Sequence, residues 1–237
     1  GDIFGVRGVE VSVEENPGSS AYWTGLAFVV AGAPLWSTAS GADAWTYDSS
    51  AIPWGNETVY RVVARSSNTA GDYSSVYATA TFTYDASIPI SSVTTPARLS
   101  SVSSLPLIAG TAADLIPGDS RLSSVEVRLR RLSDDLWWDF AAGAWSAAAV
   151  STNPVGLANW TLTPSTALLA GLTHLTSYYI ATRAKDNAAP ANAGDFYSDG
   201  SSTFTFLDTS PPAQVTDLSA STGPSPGTIS LAWTAPG

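Results

Sequence analysis

The chain has 237 residues, enough for one large domain or two of ordinary size, and 44% of them are hydrophobic against only 13% charged. Its net charge of −10 argues against a nucleic-acid partner, because counterion release on phosphates needs clustered Lys and Arg. The absence of cysteine excludes disulfides and thiol-based metal or redox chemistry, and no apolar run is long enough for a membrane-spanning helix.

The opening stretch, GDIFGVRGVEV, has neither an initiator Met nor a basic n-region, so it reads as part of a mature fragment of something longer. Within it GVEVSVE alternates apolar and polar residues, the period of a strand with one buried face. AWTYDS, VYRVVARS and TATFTYD follow, each short, rich in β-branched and aromatic residues, and set off by Gly, Pro, Ser or Asn. After YDASIP come LIAGTAAD, SSVEVRLRRL, NWTLTP, YYIATRAKD and STFTFLD, and no segment offers a convincing amphipathic helix. The chain is predicted to be all-β.

These runs recur in order. Val9-Glu10-Val11 corresponds to Val125-Glu126-Val127, Trp23 to Trp138, Trp45 to Trp160, Tyr60 and Arg65 to Tyr178 and Arg183, and Phe82 to Phe204, at offsets of 115 to 122 residues. Offsets so nearly constant predict two copies of one domain with small loop insertions. Each copy closes on an Asp and a Pro-containing linker, YDASIP and LDTSPP, where Xaa-Pro favours extended backbone. The second copy carries enough sequence ahead of its Val-Glu-Val strand for two more strands, while the first has only GDIFGVR there. The expected organisation is an incomplete sandwich over 1–87 lacking its first two strands, a complete one over 88–210, and the first two strands of a third module over 211–237.

The motifs LIAGTAAD, VEVRLRR, LWWDFAAGAW, NWTLTP, YYIATRAKDNAAP and FTFLD resemble the bacterial Ig-like modules of large secreted and surface proteins. The likeness covers 88–208 well and 6–87 in part, with RSSNTAGD standing at the corner before the last strand. DTSPPAQVTDLSASTGPSPGTISLAWTAPG resembles the start of a bacterial fibronectin type III domain, with Trp233 at its core tryptophan position. The resemblance implies tandem β-sandwiches, the first copy incomplete, at an extracellular or cell-surface location; it leaves spacer, adhesin and filament roles open.

Chemistry is sparse. His174, the sole histidine, lies in LLAGLTHLTSYY ahead of a strand, without a second histidine or any thiol to build a transition-metal site. Asp186, Asn187, Asn192 and Asp195 form an oxygen-rich loop that offers hard ligands for Ca²⁺; the other reading is an Asx-rich turn. Asp134, Asp135 and Asp139 flank Trp137 and Trp138, where paired carboxylates could hydrolyse a glycoside or simply solvate a hairpin. Most of the nine tryptophans recur in both copies, the mark of core packing, while exposed ones such as Trp137 or Trp145 would serve a glycan. Asn56 and Asn159 head glycosylation sequons. No catalytic site and no cofactor are expected.

The closing strand places Ile229, Leu231 and Trp233 on one side, and Val215 and Leu218 lie in the strand before it. A two-stranded ribbon is marginal alone. The first copy is short of two strands and the tail offers two, so the expected function is a structural subunit of an extracellular filament, joined to copies of itself head to tail by strand complementation. The alternatives are an excerpt of a giant multi-domain surface or adhesion protein, and a carbohydrate-binding module of a secreted enzyme.

Overall fold

The computed structural model describes residues 5–114, 121–196, 199–211 and 213–235, so the outermost limits of the expected domains, at 1 and 237, lie outside the described residues. The chain divides into two compact units, Gly1–Pro89 with Ala113–Ser123 and Lys185–Gly194, and Ile90–Ala112 with Ser124–Ala184 and Asp195–Gly237.

The first unit contains β1 (Val6–Glu15), β2 (Ala21–Trp23), β3 (Phe28–Val30), β4 (Ser37–Thr38), β5 (Ser40–Gly41), β6 (Trp45–Thr46), β7 (Thr58–Asn68) and β8 (Ala78–Tyr84). One antiparallel sheet runs β3-β2-β1-β7-β8, with β4 also on β1, and β5 and β6 form a separate ribbon. Alternation on β1 buries Val9, Val11 and Val13, as its period of two requires. Val13, Trp23, Ile52 and Tyr60 form the core, with Phe28, Tyr47, Trp54, Val62 and Tyr84 packed half-buried around them.

Glu14, on the opposite face of β1 from those valines, is buried as well. Its carboxylate accepts hydrogen bonds from the amides of Gly18 (2.9 Å) and Ser20 (3.2 Å) and pairs with Arg61. Burial alone would raise its pKa, yet these donors and the Arg61 charge outweigh it and hold the carboxyl below its ordinary value. Stability from a depressed acid is fully present above the unfolded-state value, about 4.3, and is lost as pH falls through the folded one. Glu14→Gln therefore lowers the thermal midpoint at pH 7, and the gap to the parent chain narrows as thermal scans are taken from pH 5 towards pH 3.

The second unit is a two-sheet sandwich. Its strands, apart from the end residues Ala113, Leu122, Ser123, Lys185 and Asp186 that fall in the first unit, are β9 (Ile90–Thr95), β10 (Ser100–Val102), β11 (Ile108–Ala113), β12 (Leu122–Arg131), β13 (Trp137–Asp139), β14 (Ala144–Ser146), β15 (Asn159–Leu162), β16 (Thr176–Asp186) and β17 (Ser202–Phe206). One sheet runs β10-β17-β16-β12-β13-β14 and the other β15-β11-β9. Val125, Val127 and Leu129 of β12 and Tyr178 and Ile180 of β16 face a core closed from the opposite sheet by Ile108, Ala112 and the fully buried Trp160. The Trp160 indole donates to the Thr111 carbonyl at 3.2 Å, satisfying its one polar atom.

One short helix, α1 (Thr166–Ala170), accompanies the strands in an otherwise all-β chain, as expected. It is a single turn started by Ser165, whose side chain accepts from the Leu168 amide, and five residues are too few to show a helical period. Among the described residues no helix is long and apolar enough to cross a membrane.

Both units share a corner that sequence periodicity does not announce. The hydroxyl of Tyr60 accepts from the Gly55 amide at 2.7 Å, and that of Tyr178 from the Thr173 amide at 2.8 Å, each reaching back five residues. Such a tyrosine at the start of the penultimate strand is a hallmark of immunoglobulin-like sandwiches. The fold is all-β and Ig- or fibronectin-like. Beyond β17, β18 (Ser219–Thr222) and β19 (Ile229–Ala232) form a hairpin, Ser219 opposite Ala232 and Thr222 opposite Ile229, with no further strand partner among the described residues.

Candidate functional site

The first unit's sheet has an apolar face that opens to solvent at Trp45 and Phe82, above the buried Val11, Val13 and Ile52. A cavity of about 400 Å³ is lined by Val11, Val13, Trp45, Ile52, Trp54 and Phe82 among others. Positions matched by the repeat show the difference from the second unit: Trp45 is 40% exposed where Trp160 is 0%, and Phe82 is 40% exposed where Phe204 is 0%. Trp160 is sealed by β11, which pairs with β15 and brings Gly110 against its ring. Among the described residues of the first unit no strand stands in the place of β9 or β11.

Among the described residues the β8 edge of that sheet has no strand on its outer side. β8 pairs with β7 on one side, and six of its seven residues are exposed. Its counterpart β17 is flanked on the far side by β10, running parallel with Ser100 opposite Phe204 and Val102 opposite Phe206. β8 is uncharged and free of proline, without the features that keep edges from pairing.

The β18-β19 hairpin offers what the open face lacks. Ile229 (72% exposed), Leu231 and Trp233 lie on or just after β19, and Val215 and Leu218 precede β18; all five are exposed. The carboxylate of Asp217 accepts from the Thr234 amide at 2.9 and 3.0 Å, tying the segment before β18 to the one after β19. A hydrogen bond from the Thr234 side chain together with those from its amide holds Asp217 below the usual carboxylate range.

A second constellation lies within the first unit. One carboxylate oxygen each from Asp85, Asp114 and Asp186 lie within 4.8 Å of one another, a spacing at which a hard cation such as Ca²⁺ could be held. Of the oxygen-rich loop, Asp186 and Asn192 come together: Asp186 accepts from the amides of Ala188 (3.0 Å) and Asn192 (2.8 Å) and from the Asn192 side chain (2.8 Å). Asn192 thus faces Asp186 as a donor. The Asn187 side chain donates to the Leu122 carbonyl, and Asp195 is exposed. The loop therefore forms an Asx-type turn, and the carboxylates gathered at Asp186 come from elsewhere. Asp85 and Asp114 are the final acids of YDASIP and GTAAD; their place at the end of a motif was the available signal, but not their convergence.

Arg121 neutralises part of this cluster, with Nη1 2.5 Å from Glu57 and 3.6 Å from Asp85. Losing one partner of a mostly buried ion pair leaves the other desolvated and unpaired. Arg121→Met is expected to cost about 2 kcal/mol at neutral pH and less near pH 4, where the carboxylates protonate; urea melts at the two pH values check it.

Other sequence candidates are engaged structurally. His174 Nδ1 accepts from the Asp208 amide at 3.0 Å. Asp134 pairs with Arg131 and Asp135 with Arg130, while Asp139 accepts from the amides of Ala141 and Ala142. Trp137 and Trp138 are buried, and half-buried Trp145 packs on Trp138 and Tyr178. These residues form no exposed aromatic row.

No family model and no curated protein matches the chain. Among solved structures, the FN1–FN3 domains of chicken CNTN1 align with 98% of this chain and 67% of theirs, at 14% identity and a TM-score of 0.32.

Proposed function

We propose that this chain is a non-enzymatic extracellular structural protein of tandem Ig-like and fibronectin-like modules, whose first unit is completed by the β18-β19 hairpin of a neighbouring copy. The supporting observation is the exposure of Trp45 and Phe82 at positions whose counterparts, Trp160 and Phe204, are fully buried. Two strands close that face in the second unit, and a two-stranded hairpin with an exposed apolar side is present in the same molecule. Burying Ile229, Leu231 and Trp233 is worth about 5 to 9 kcal/mol at most, before the entropy of association. A contact between different surfaces of identical subunits propagates as a filament unless it closes into a ring.

Sedimentation of the 237-residue chain over a range of concentrations tests this reading. Mass should rise with concentration, and a chain ending at residue 211 should remain monomeric. A parent chain that stays monomeric at high micromolar concentration refutes donation between copies.

A second reading has its own support. The second unit takes β9 and β11 from residues just ahead of β12 in the same polypeptide, so the first unit could be completed in the same way within a longer surface or adhesion protein. Adding preceding native sequence would then bury Trp45 in a monomer, visible as a blue shift of tryptophan emission.

A further inference from the structure

The first unit also carries a cluster of rings in which Tyr73 and Tyr77 are exposed and Trp36 is half-buried. The guanidinium carbon of Arg65 lies 4.0 Å from the centroid of Trp36 and 3.9 Å from that of Tyr73, and Trp36 meets Tyr77 edge-on at 5.5 Å. Glu10 fixes Arg65 through a 2.8 Å bond from Nε and also accepts from the Tyr73 hydroxyl at 3.4 Å. Rings held by a cation and a carboxylate are oriented before any ligand arrives, which lowers the ordering cost of binding.

The second unit shows the same arrangement put to structural use. Gly71-Asp72-Tyr73 is matched there by Gly194-Asp195-Phe196, and Phe196 packs on Arg183 at 4.5 Å and Arg128 at 3.9 Å, with Arg183 bonded to Glu126. Phe196 is 5% exposed, whereas Tyr73 is 50% and Tyr77 47% exposed. The motif is satisfied by a buried phenylalanine, so the exposed phenols of the first unit are an addition to it.

Beside Tyr73 lies a cavity of about 360 Å³, lined by Ser66, Ser67, Asn68, Asp72 and Ser74 together with two valines and a further serine. That volume lies within the range of small-ligand sites. Its loop is braced: Asn68 Oδ1 accepts from the amides of Ala70 and Asp72, and the Ser74 amide donates to the Ser66 carbonyl, all at 2.9 Å. Arg65 is paired with Glu10, and the one charged side chain among the lining residues is that of Asp72. An anionic ligand meets that carboxylate, and a purely apolar one meets hydroxyls.

We infer that this cavity, with Tyr73 in its lining and Tyr77 four residues further on in the same ring cluster, binds a neutral pyranose oligosaccharide. The apolar C–H face of a sugar ring lies against an aromatic ring, while serine hydroxyls, the Asn68 amide and the Asp72 carboxylate take the ring hydroxyls. The site is independent of strand donation, for it shares none of the residues of the uncovered face that lines the Trp45 cavity.

The test is saturation-transfer NMR and calorimetry on the 237-residue chain with four tetrasaccharides: β-1,4-glucan, β-1,3-glucan, β-1,4-xylan and β-1,4-N-acetylglucosamine. At least one should bind with transfer from the tyrosine rings. Tyr73→Ala and Tyr77→Ala should each weaken it tenfold or more, Tyr73→Phe should stay within threefold of the parent, and Trp233→Ala should change nothing. Thermal midpoints identify a variant that has lost its fold, and Tyr77→Ala together with transfer mapping on the parent then decides. Failure of all four sugars to bind at millimolar concentration, or binding indifferent to both tyrosine substitutions in folded protein, overturns the inference.

Discussion

Trp160→Ala should destabilise the second unit by about 4 kcal/mol, while Trp45→Ala, at the matching position of the first, should cost less than about 1 kcal/mol. Trp160 is fully buried, and its indole donates to the Thr111 carbonyl, so truncation leaves both a large cavity and an unmatched carbonyl. Trp45 is 40% exposed at the mouth of an open cavity, and its removal returns little surface to water. Guanidinium denaturation of each variant, with hydrogen exchange to assign the loss to a unit, measures the contrast. Equal costs at the two positions would mean that the first unit is already closed.

Gly110→Val should be at least as damaging, on the order of 3 kcal/mol or more. A Cβ at Gly110 would lie 2.0 Å from the Ser92 carbonyl oxygen and 2.2 Å from Cζ2 of Trp160, so both a neighbouring strand and the central tryptophan would have to move. Gly8, on β1 of the first unit, has nothing within 4 Å of the same position. Gly8→Val should be neutral or stabilising by about 0.5 kcal/mol, because valine favours the strand and loses less backbone entropy on folding. The same denaturation series compares them.

Much of the architecture is legible in the sequence because strands with one buried face write their period directly into the chain. Val9, Val11 and Val13 on β1 and Val125, Val127 and Leu129 on β12 are inward in the structure as their alternation requires. The constant offset between matched residues foreshadows the shared tyrosine corner, since Tyr60 and Tyr178 are a matched pair. What the period could not show is contact between distant segments. Asp85, Asp114 and Asp186 are separated by tens of residues and meet only through the fold. Glu14 keeps its phase on the face away from the valines and is nevertheless buried, because two loop amides and Arg61, directly opposite it on β7, receive its carboxylate. The recurrence of tryptophans pointed to core packing and does so for Trp138 and Trp160, but Trp45 is half out of its core because packing depends on strands as well as on the ring.

Disulfide trapping tests most directly whether the open face of the first unit receives the hairpin of another copy, because the chain has no cysteine of its own. Phe82→Cys protein is mixed in redox buffer with Leu231→Cys protein, or with Val155→Cys protein as a control whose site is 78% exposed in the second unit. Strand donation predicts that the Phe82→Cys and Leu231→Cys chains form a mixed disulfide at least tenfold faster than the Phe82→Cys and Val155→Cys pair. Equal rates for the two pairs would contradict it.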